Sequence, residues 1–191
     1  MKSESLKKYL LNKYAIKKLD ELDFELIEEL SLNKIVNNNE QDYDFSDFEL
    51  FNNLKYVSFQ NFKINNYETN ELGRCKKLSA IQFSNCKFNC KSRLKGNVKV
   101  ISFNNCKGFK FKYLALLKNL EIVRISNFKI INLKNIFYYI KNIEKIYFEN
   151  TRILNFKDLD KLKNLNLVEV VNCKWNKNTQ KNFSNAVQIE E

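Results

Sequence analysis

The stretch Leu120-Glu-Ile-Val123-Arg-Ile125-Ser-Asn127-Phe-Lys129-Ile130 decides how this chain is read, because the chain spells it six times. Apolar residues fall at places 1, 4, 6 and 11, asparagine at place 8 and a basic residue at place 10. The same spelling begins at Leu54 (LKYVSFQNFKI), Leu78 (LSAIQFSNCKF), Val98 (VKVISFNNCKG), Ile143 (IEKIYFENTRI) and Leu165 (LNLVEVVNCKW). Successive starts lie 24, 20, 22, 23 and 22 residues apart. Self-similarity at a fixed period of this size marks a repeat architecture, in which each unit buries its apolar face against its neighbours.

Each unit opens with a short strand. Places 1, 4 and 6 point inward, and places 2, 3, 5 and 7 stay outside. After place 11 the chain must return to the start of the next strand. The returns carry apolar residues every third position: Phe111, Leu114, Leu117; Ile130, Leu133, Ile136; and Ile153, Phe156, Leu159, Leu162. A step of three suits 3₁₀ or short helical turns. Three returns end in Leu117-Lys-Asn, Ile140-Lys-Asn and Leu162-Lys-Asn, each handing over to the next strand. A parallel ladder with helical turns on its back follows.

Upstream, Ser3 or Ser5 can cap a first helix over Leu6, Tyr9, Leu10 and Ile16. A second helical segment from Asp20 to about Glu29 carries Leu22, Leu26 and Ile27. Residues 1–53 read as an acidic helical N-terminal cap over an otherwise unpaired strand edge. It has room for a degenerate first repeat at Ile27-Glu-Glu-Leu30-Ser-Leu32, with residues 37–53 as its polar outer arc. Residues 54–176 hold the six repeats, and 177–191 form a C-terminal cap or tail.

The pattern LxxLxLx-N-[C/F/T]-x-[I/F/W] resembles the leucine-rich repeat family, in its short-repeat class. The pairs Asn85-Cys86, Asn105-Cys106 and Asn172-Cys173 look like its cysteine-containing variety. The resemblance implies an α/β solenoid: a curved arc with a concave parallel β-sheet and short helical or 3₁₀ turns on the convex side. It also implies macromolecular recognition, not catalysis. The chain departs from the family at one point. The family often places asparagine at place 9, bonded to the backbone of the turn. Here place 9 is Phe62, Cys86, Cys106, Phe128, Thr151 and Cys173, and the asparagine stands at place 8. The resemblance therefore carries no ladder role onto it.

The formal charge is +11, and its distribution matters more than its size. Residues 1–53 hold 7 basic and 12 acidic side chains, whereas 54–191 hold 26 basic and 10 acidic. From residue 72 to residue 120 there are twelve Lys or Arg and no Asp or Glu. No run approaches the roughly 20 apolar residues that span a bilayer, and the first residues lack the apolar core of a signal peptide. These features point to the cytoplasm, with the nucleus as the other compartment left open, and to no membrane partner.

Little in the chain can carry chemistry. It has no histidine, no CxxC and three glycines, Gly73, Gly96 and Gly108, which cannot build a phosphate-cradling loop. Cys86, Cys90 and Cys106 could be drawn into a zinc site, but zinc wants four ligands in closely spaced pairs. Three of the five cysteines occupy place 9, where a thiol acts as a small buried hydrophobe. Asp158 and Asp160, near Lys157 and Lys161, read as solvated surface. The expectation is no enzyme, no cofactor, no metal and no small-molecule substrate.

Place 10 is basic in all six repeats: Lys63, Lys87, Lys107, Lys129, Arg152 and Lys174. Strands stacked about 4.8 Å apart would make these a row roughly 25 Å long. The outer arcs add Arg74, Lys76, Lys77, Lys91, Arg93, Lys95, Lys110 and Lys112. The first functional reading is a non-catalytic repeat protein that docks through this basic edge on RNA. The RNA would belong to a large acidic assembly, a ribonucleoprotein such as the ribosome. Against it stands a plainer reading, that copied repeats keep a solvated lysine. The alternative is a protein–protein adaptor or regulatory subunit gripping a protein partner in its concave face. Tyr56, Gln82, Arg124, Tyr147 and Glu149 would be its contacts, Tyr and Arg being enriched in interface hot spots.

Overall fold

The computed structural model describes residues 1–34, 44–89, 93–176 and 188–190. Cys90, Lys91, residues 37–43 of the expected outer arc and most of the expected C-terminal segment lie outside the described residues. In chain order the elements are helix α1 (Glu4–Lys13), strands β1 (Glu29–Asn33), β2 (Tyr56–Gln60) and β3 (Lys63–Ile64), and helix α2 (Asn66–Leu72). Then follow β4 (Ala80–Ser84), β5 (Lys87–Phe88), β6 (Val100–Asn104), β7 (Ile122–Ser126) and β8 (Ile131–Asn132). Last come β9 (Lys145–Glu149), β10 (Ile153–Leu154), β11 (Leu167–Val171) and β12 (Gln188–Glu190). Eight strands form one sheet in the order β1-β2-β4-β6-β7-β9-β11-β12. Every neighbouring pair is parallel. The fold is thus an α/β arrangement dominated by a parallel sheet.

Period-2 patterning sets the inward face. Val57, Ile81, Ile101, Val123, Ile146 and Val168 align across the sheet, and all are buried. Place 6 aligns likewise, and in the first half it is a column of rings. Phe59, Phe83 and Phe103 stack at 5.5 and 5.5 Å with interplanar angles of 19° and 12°, and Phe45, from the 3₁₀ turn ahead of β2, extends the column at 5.4 Å and 24°. Such pairs add about 0.5–1.5 kcal/mol each beyond area burial.

Each strand ends at its asparagine. Asn61, Asn85, Asn105, Asn127, Asn150 and Asn172 all have positive φ, between 48° and 65°. Asparagine tolerates this left-handed turn because its side chain bonds locally. Their side chains also link neighbouring turns: Asn61 Nδ2 donates to Asn33 Oδ1 (2.9 Å), Asn105 to Asn85 (2.8 Å), Asn127 to Asn104 (2.7 Å) and Asn150 to Asn127 (3.1 Å). Place 8 is a chain-reversal residue with an exposed amide ladder.

The returns contain 3₁₀ turns at Phe45–Leu50, Phe111–Leu114, Ile136–Tyr138 and Phe156–Lys161. The expected inward residue shifts in the two middle units. Ile130 is 46% exposed, and Ile131 takes the buried slot. In the unit before, Gly108 occupies place 11 and Phe109 fills the core, its ring 4.0 Å from Phe103.

The N-terminal segment differs from its expected form. In place of one helix from Asp20 to Glu29 there are two 3₁₀ turns, Leu19–Glu21 and Phe24–Leu26, before β1 begins. Leu26 is 78% exposed, so it is not a packing residue. Ser3, not Ser5, caps α1 by accepting from the Leu6 N–H. The helix lies against the free edge of the sheet: the Ser31 N–H donates to Tyr9 Oη (3.1 Å) and Lys13 Nζ donates to the Glu29 carbonyl (2.8 Å). Those contacts occupy backbone groups that an edge strand otherwise leaves open.

Candidate interaction surfaces

The sheet has a trailing edge, where strands end in their asparagine turns, and a leading edge, where the returns hand over. Five residues at about 3.3 Å each separate the two by roughly 16 Å.

Place 10 lies on the trailing edge, and all six of its side chains are exposed. Short parallel ladders hold the backbone there. Lys63 pairs with Lys87 across β3 and β5, Lys87 bridges Lys107, and Arg152 bridges Lys174. Lys129 falls one residue out of line, because β8 meets β10 with Ile131 opposite Ile153. Among the described residues no acid forms an ion pair with any of the six. No backbone hydrogen bond joins residues 106–112 to 128–132, so the trailing ladder is interrupted between the third and fourth units. A hollow of about 390 Å³ opens at this interruption, lined in part by Phe109, Lys110, Lys112, Ile130 and Lys134.

Place 9 sits beneath the row. The Cys86 thiol donates to the Phe59 and Ser84 carbonyls (both 3.4 Å), and Cys106 to those of Phe83 (3.5 Å) and Asn104 (3.4 Å). Thr151 Oγ1 donates to the Glu149 carbonyl (2.8 Å) and accepts from the Phe128 N–H (3.2 Å). The hydrogen bond to Cys86, and then desolvation, hold the Cys106 thiol above the ordinary range. Burial, with Glu71 adding, pushes Cys75 up to about 11. Reluctant to ionise, the Cys75 and Cys106 thiols are poor nucleophiles and poor metal ligands. Among the described residues no three Cys, Asp or Glu side chains converge to hold a metal ion.

The seven described outer-arc cations do not form one site with this row. Lys110 and Lys112 flank the trailing edge. Lys76, Lys77, Arg93 and Lys95 lie towards the leading edge, where Lys77 Nζ donates to Asn53 Oδ1 (2.5 Å). Arg74 is engaged by Glu71 at 3.0 Å, one residue outside the acid-free tract. Lys91 lies outside the described residues. Asp158, expected to be solvated, is 6% exposed; it accepts from the Asn135 N–H (2.8 Å) and approaches Lys161 (3.7 Å).

The leading edge carries cations that the repeat alignment passes over: Lys118, Lys141 and Lys163, all exposed. They are the lysines of the Leu-Lys-Asn and Ile-Lys-Asn handovers, so the signal was in the sequence as a second repeated position. Tyr138 stands among them, 64% exposed, and no pattern in the sequence marks it.

The open face of the sheet brings the five expected protein contacts together. Tyr56 Oη donates to Gln82 Oε1 (2.8 Å), and Gln82 Nε2 donates to Ser84 Oγ (3.3 Å). The Arg124 guanidinium lies 4.3 Å from the centre of the Tyr147 ring, a cation–π contact. Gln82, Arg124, Tyr147 and Glu149 line one hollow of about 470 Å³. Across its floor Ser102, Arg124, Tyr147 and Glu169 stand in register, so neutral hydroxyls lie on one side of the arginine and acids on the other.

No helix of the described residues is long and apolar enough to cross a membrane. No family model matches the chain, and no curated protein matches it in sequence.

Proposed function

We propose that the chain is a leucine-rich-repeat solenoid, its parallel sheet on the concave side of an arc. It acts as a non-catalytic adaptor that grips a segment of a protein partner on that face. The observation that carries this reading is the convergence of Gln82, Arg124, Tyr147 and Glu149 on one hollow, with Tyr56 hydrogen-bonded to Gln82 at its side. Rigid Tyr and Arg side chains in a shallow cavity are the usual makings of a hot spot. Arg124 offers a forked donor for a carboxylate or backbone carbonyl, and Glu149 and Glu169 beyond it favour a basic residue further along the segment. Changing Tyr56, Arg124 and Tyr147 together to Ala removes the partner from an affinity capture while the fold persists. Full retention of the partner rules the face out.

A second reading is docking on a ribonucleoprotein such as the ribosome along the trailing edge. Six exposed cations with no ion-pair partner among the described residues favour it, five of them held by ladder contacts. Co-sedimentation with ribosomes at low salt but not at high salt is the expected result. Unchanged binding after Lys87→Glu, Lys107→Glu and Lys129→Glu together excludes that edge. Neither reading gives the chain a cofactor, a small-molecule substrate or a membrane partner, and both keep it in the cytoplasm or nucleus.

A further inference from the structure

We infer that the leading edge is a binding track for single-stranded nucleic acid, with the Tyr138 ring as a stacking platform for an unpaired base. Tyr138 is the most exposed aromatic ring among the described residues. It is also fixed in place. It ends the 3₁₀ turn Ile136–Tyr138, whose first residue is fully buried. The Tyr138 N–H donates to the Asn135 carbonyl (3.1 Å), and the Asn135 N–H in turn donates to the buried Asp158 (2.8 Å). Phe137 packs beside it, ring centres 4.3 Å apart, and Lys161 covers Phe137 at 4.8 Å. An aromatic side chain held outward on an anchored turn loses little freedom when a base stacks on it.

Cations flank the ring on both sides. One hollow, of about 340 Å³, is lined by Tyr138 with Arg93, Lys118 and Lys141. The other, of about 450 Å³, is lined by Tyr138 with Lys141, Lys161 and Lys163. No Asp or Glu lines either hollow. Lys161 is turned partly inward by Asp158, but Arg93, Lys118, Lys141 and Lys163 have no ion-pair partner among the described residues. A π-face between two clusters of cations matches a base between two phosphates. A duplex keeps its bases stacked on each other and cannot use the ring. An acidic peptide would use the lysines and leave the tyrosine idle. This track stands apart from both readings above, since it shares no residue with the open face or with place 10.

The test is fluorescence anisotropy of the full chain with a labelled uridine oligomer of about ten nucleotides, within the usual span of single-strand sites. The matching deoxythymidine oligomer, an RNA duplex and an oligoglutamate of equal charge are run beside it. Tyr138→Ala is expected to weaken single-strand binding roughly ten-fold, with duplex binding unchanged, while Tyr138→Trp preserves or tightens it. Changing Lys118, Lys141 and Lys163 to Glu flattens the salt dependence by about two units of slope, at about 0.7 per phosphate contact. A preference between the uridine and deoxythymidine oligomers names RNA or DNA as the ligand. The inference is overturned if Tyr138→Ala binds the oligomer as the parent does. It is equally overturned if the duplex or oligoglutamate competes as well as the single strand.

Discussion

The two edges of the sheet are both basic, yet they are built differently. On the trailing edge the place-10 cations Lys63, Lys87 and Arg152 sit between two buried neighbours, places 9 and 11, on backbone held by β3–β5 and by the Arg152–Lys174 bridge. Their regularity is a by-product of the ladder, because any residue at that place must point out. On the leading edge the backbone ladder lies at place 2, where the N–H groups of Ser79, Lys99, Glu121, Glu144 and Asn166 each donate to the place-2 carbonyl of the unit before, and the handover lysines stand outside it. The returns are tied by side chains instead: Asn119 to Asn97, and Asn142 Nδ2 to the Lys118 carbonyl at 2.6 Å. An even row of charge therefore reports the scaffold first. An aromatic ring held exposed among cations, four of them with no ion-pair partner among the described residues, is harder to explain by packing.

If the trailing edge is structural and the leading edge is not, substitutions on the two should read out differently. The largest difference is expected between glycines. A Cβ on Gly108, at φ +72°, would meet the Phe88 carbonyl at 2.4 Å. Gly108→Ala should cost about 3 kcal/mol, combining left-handed strain with the clash. For a chain of this size that is a melting midpoint lower by about 6–12 °C. Gly73→Ala, towards the leading edge, meets Lys95 Cβ at 3.1 Å and the Asn70 carbonyl at 3.2 Å without a positive φ. Its cost should stay below about 1 kcal/mol. Equal losses would erase the contrast.

Next come the asparagines. Asn127→Ala puts a plain Cβ into a left-handed turn and removes amide bonds to Asn104 and Asn150. We expect a loss of about 2 kcal/mol by denaturant titration, against a few tenths for Asn142→Ala on the leading edge. A pH titration gives a finer test on the leading side. The folded-state pKa of Cys75 is raised from 9.0 to about 11, so its contribution is complete below pH 9 and lost as pH climbs to 11. Over that window the parent should lose about 1–2 kcal/mol more than Cys75→Ala. The smallest effect concerns charge alone. Replacing Lys63, Lys87 and Lys107 by Gln should raise stability at low salt by a few tenths of a kcal/mol each, and by nothing at high salt. The same change at Lys118, Lys141 and Lys163 should leave the midpoint unmoved at either salt.

The sheet was legible because its signal is repeated: places 1, 4 and 6 recur in every unit and each is buried. The cysteines at place 9 could be placed in the same way. What escaped was set by single residues that the pattern averages away. Ile130 spells place 11 correctly, yet one inserted residue gives the slot to Ile131. Gly108 looks like a missing hydrophobe, yet it lets Phe109 reach Phe103. The Asp20–Glu29 segment has helical spacing, but strand pairing with β2 outweighs weak local propensity from Glu29 onward. At the surfaces, the face residues could be grouped because strand register is simple arithmetic. The outer-arc cations could not, because the paths of the returns decide which edge each one joins. Tyr138 carries no repeat signature at all.

The interruption in the trailing ladder has a mechanical consequence. Between β6 and β7 the sheet is fully paired, and only the opposite wall lacks backbone bonds, where the contact of Phe109 with Phe128 (6.2 Å) is one of side chains. A beam with one continuous flange and one cut flange bends at the cut. Strain applied to this protein should concentrate as a crease between its third and fourth units, opening on the Lys110 and Ile130 side. The two halves would otherwise move as stiff blocks.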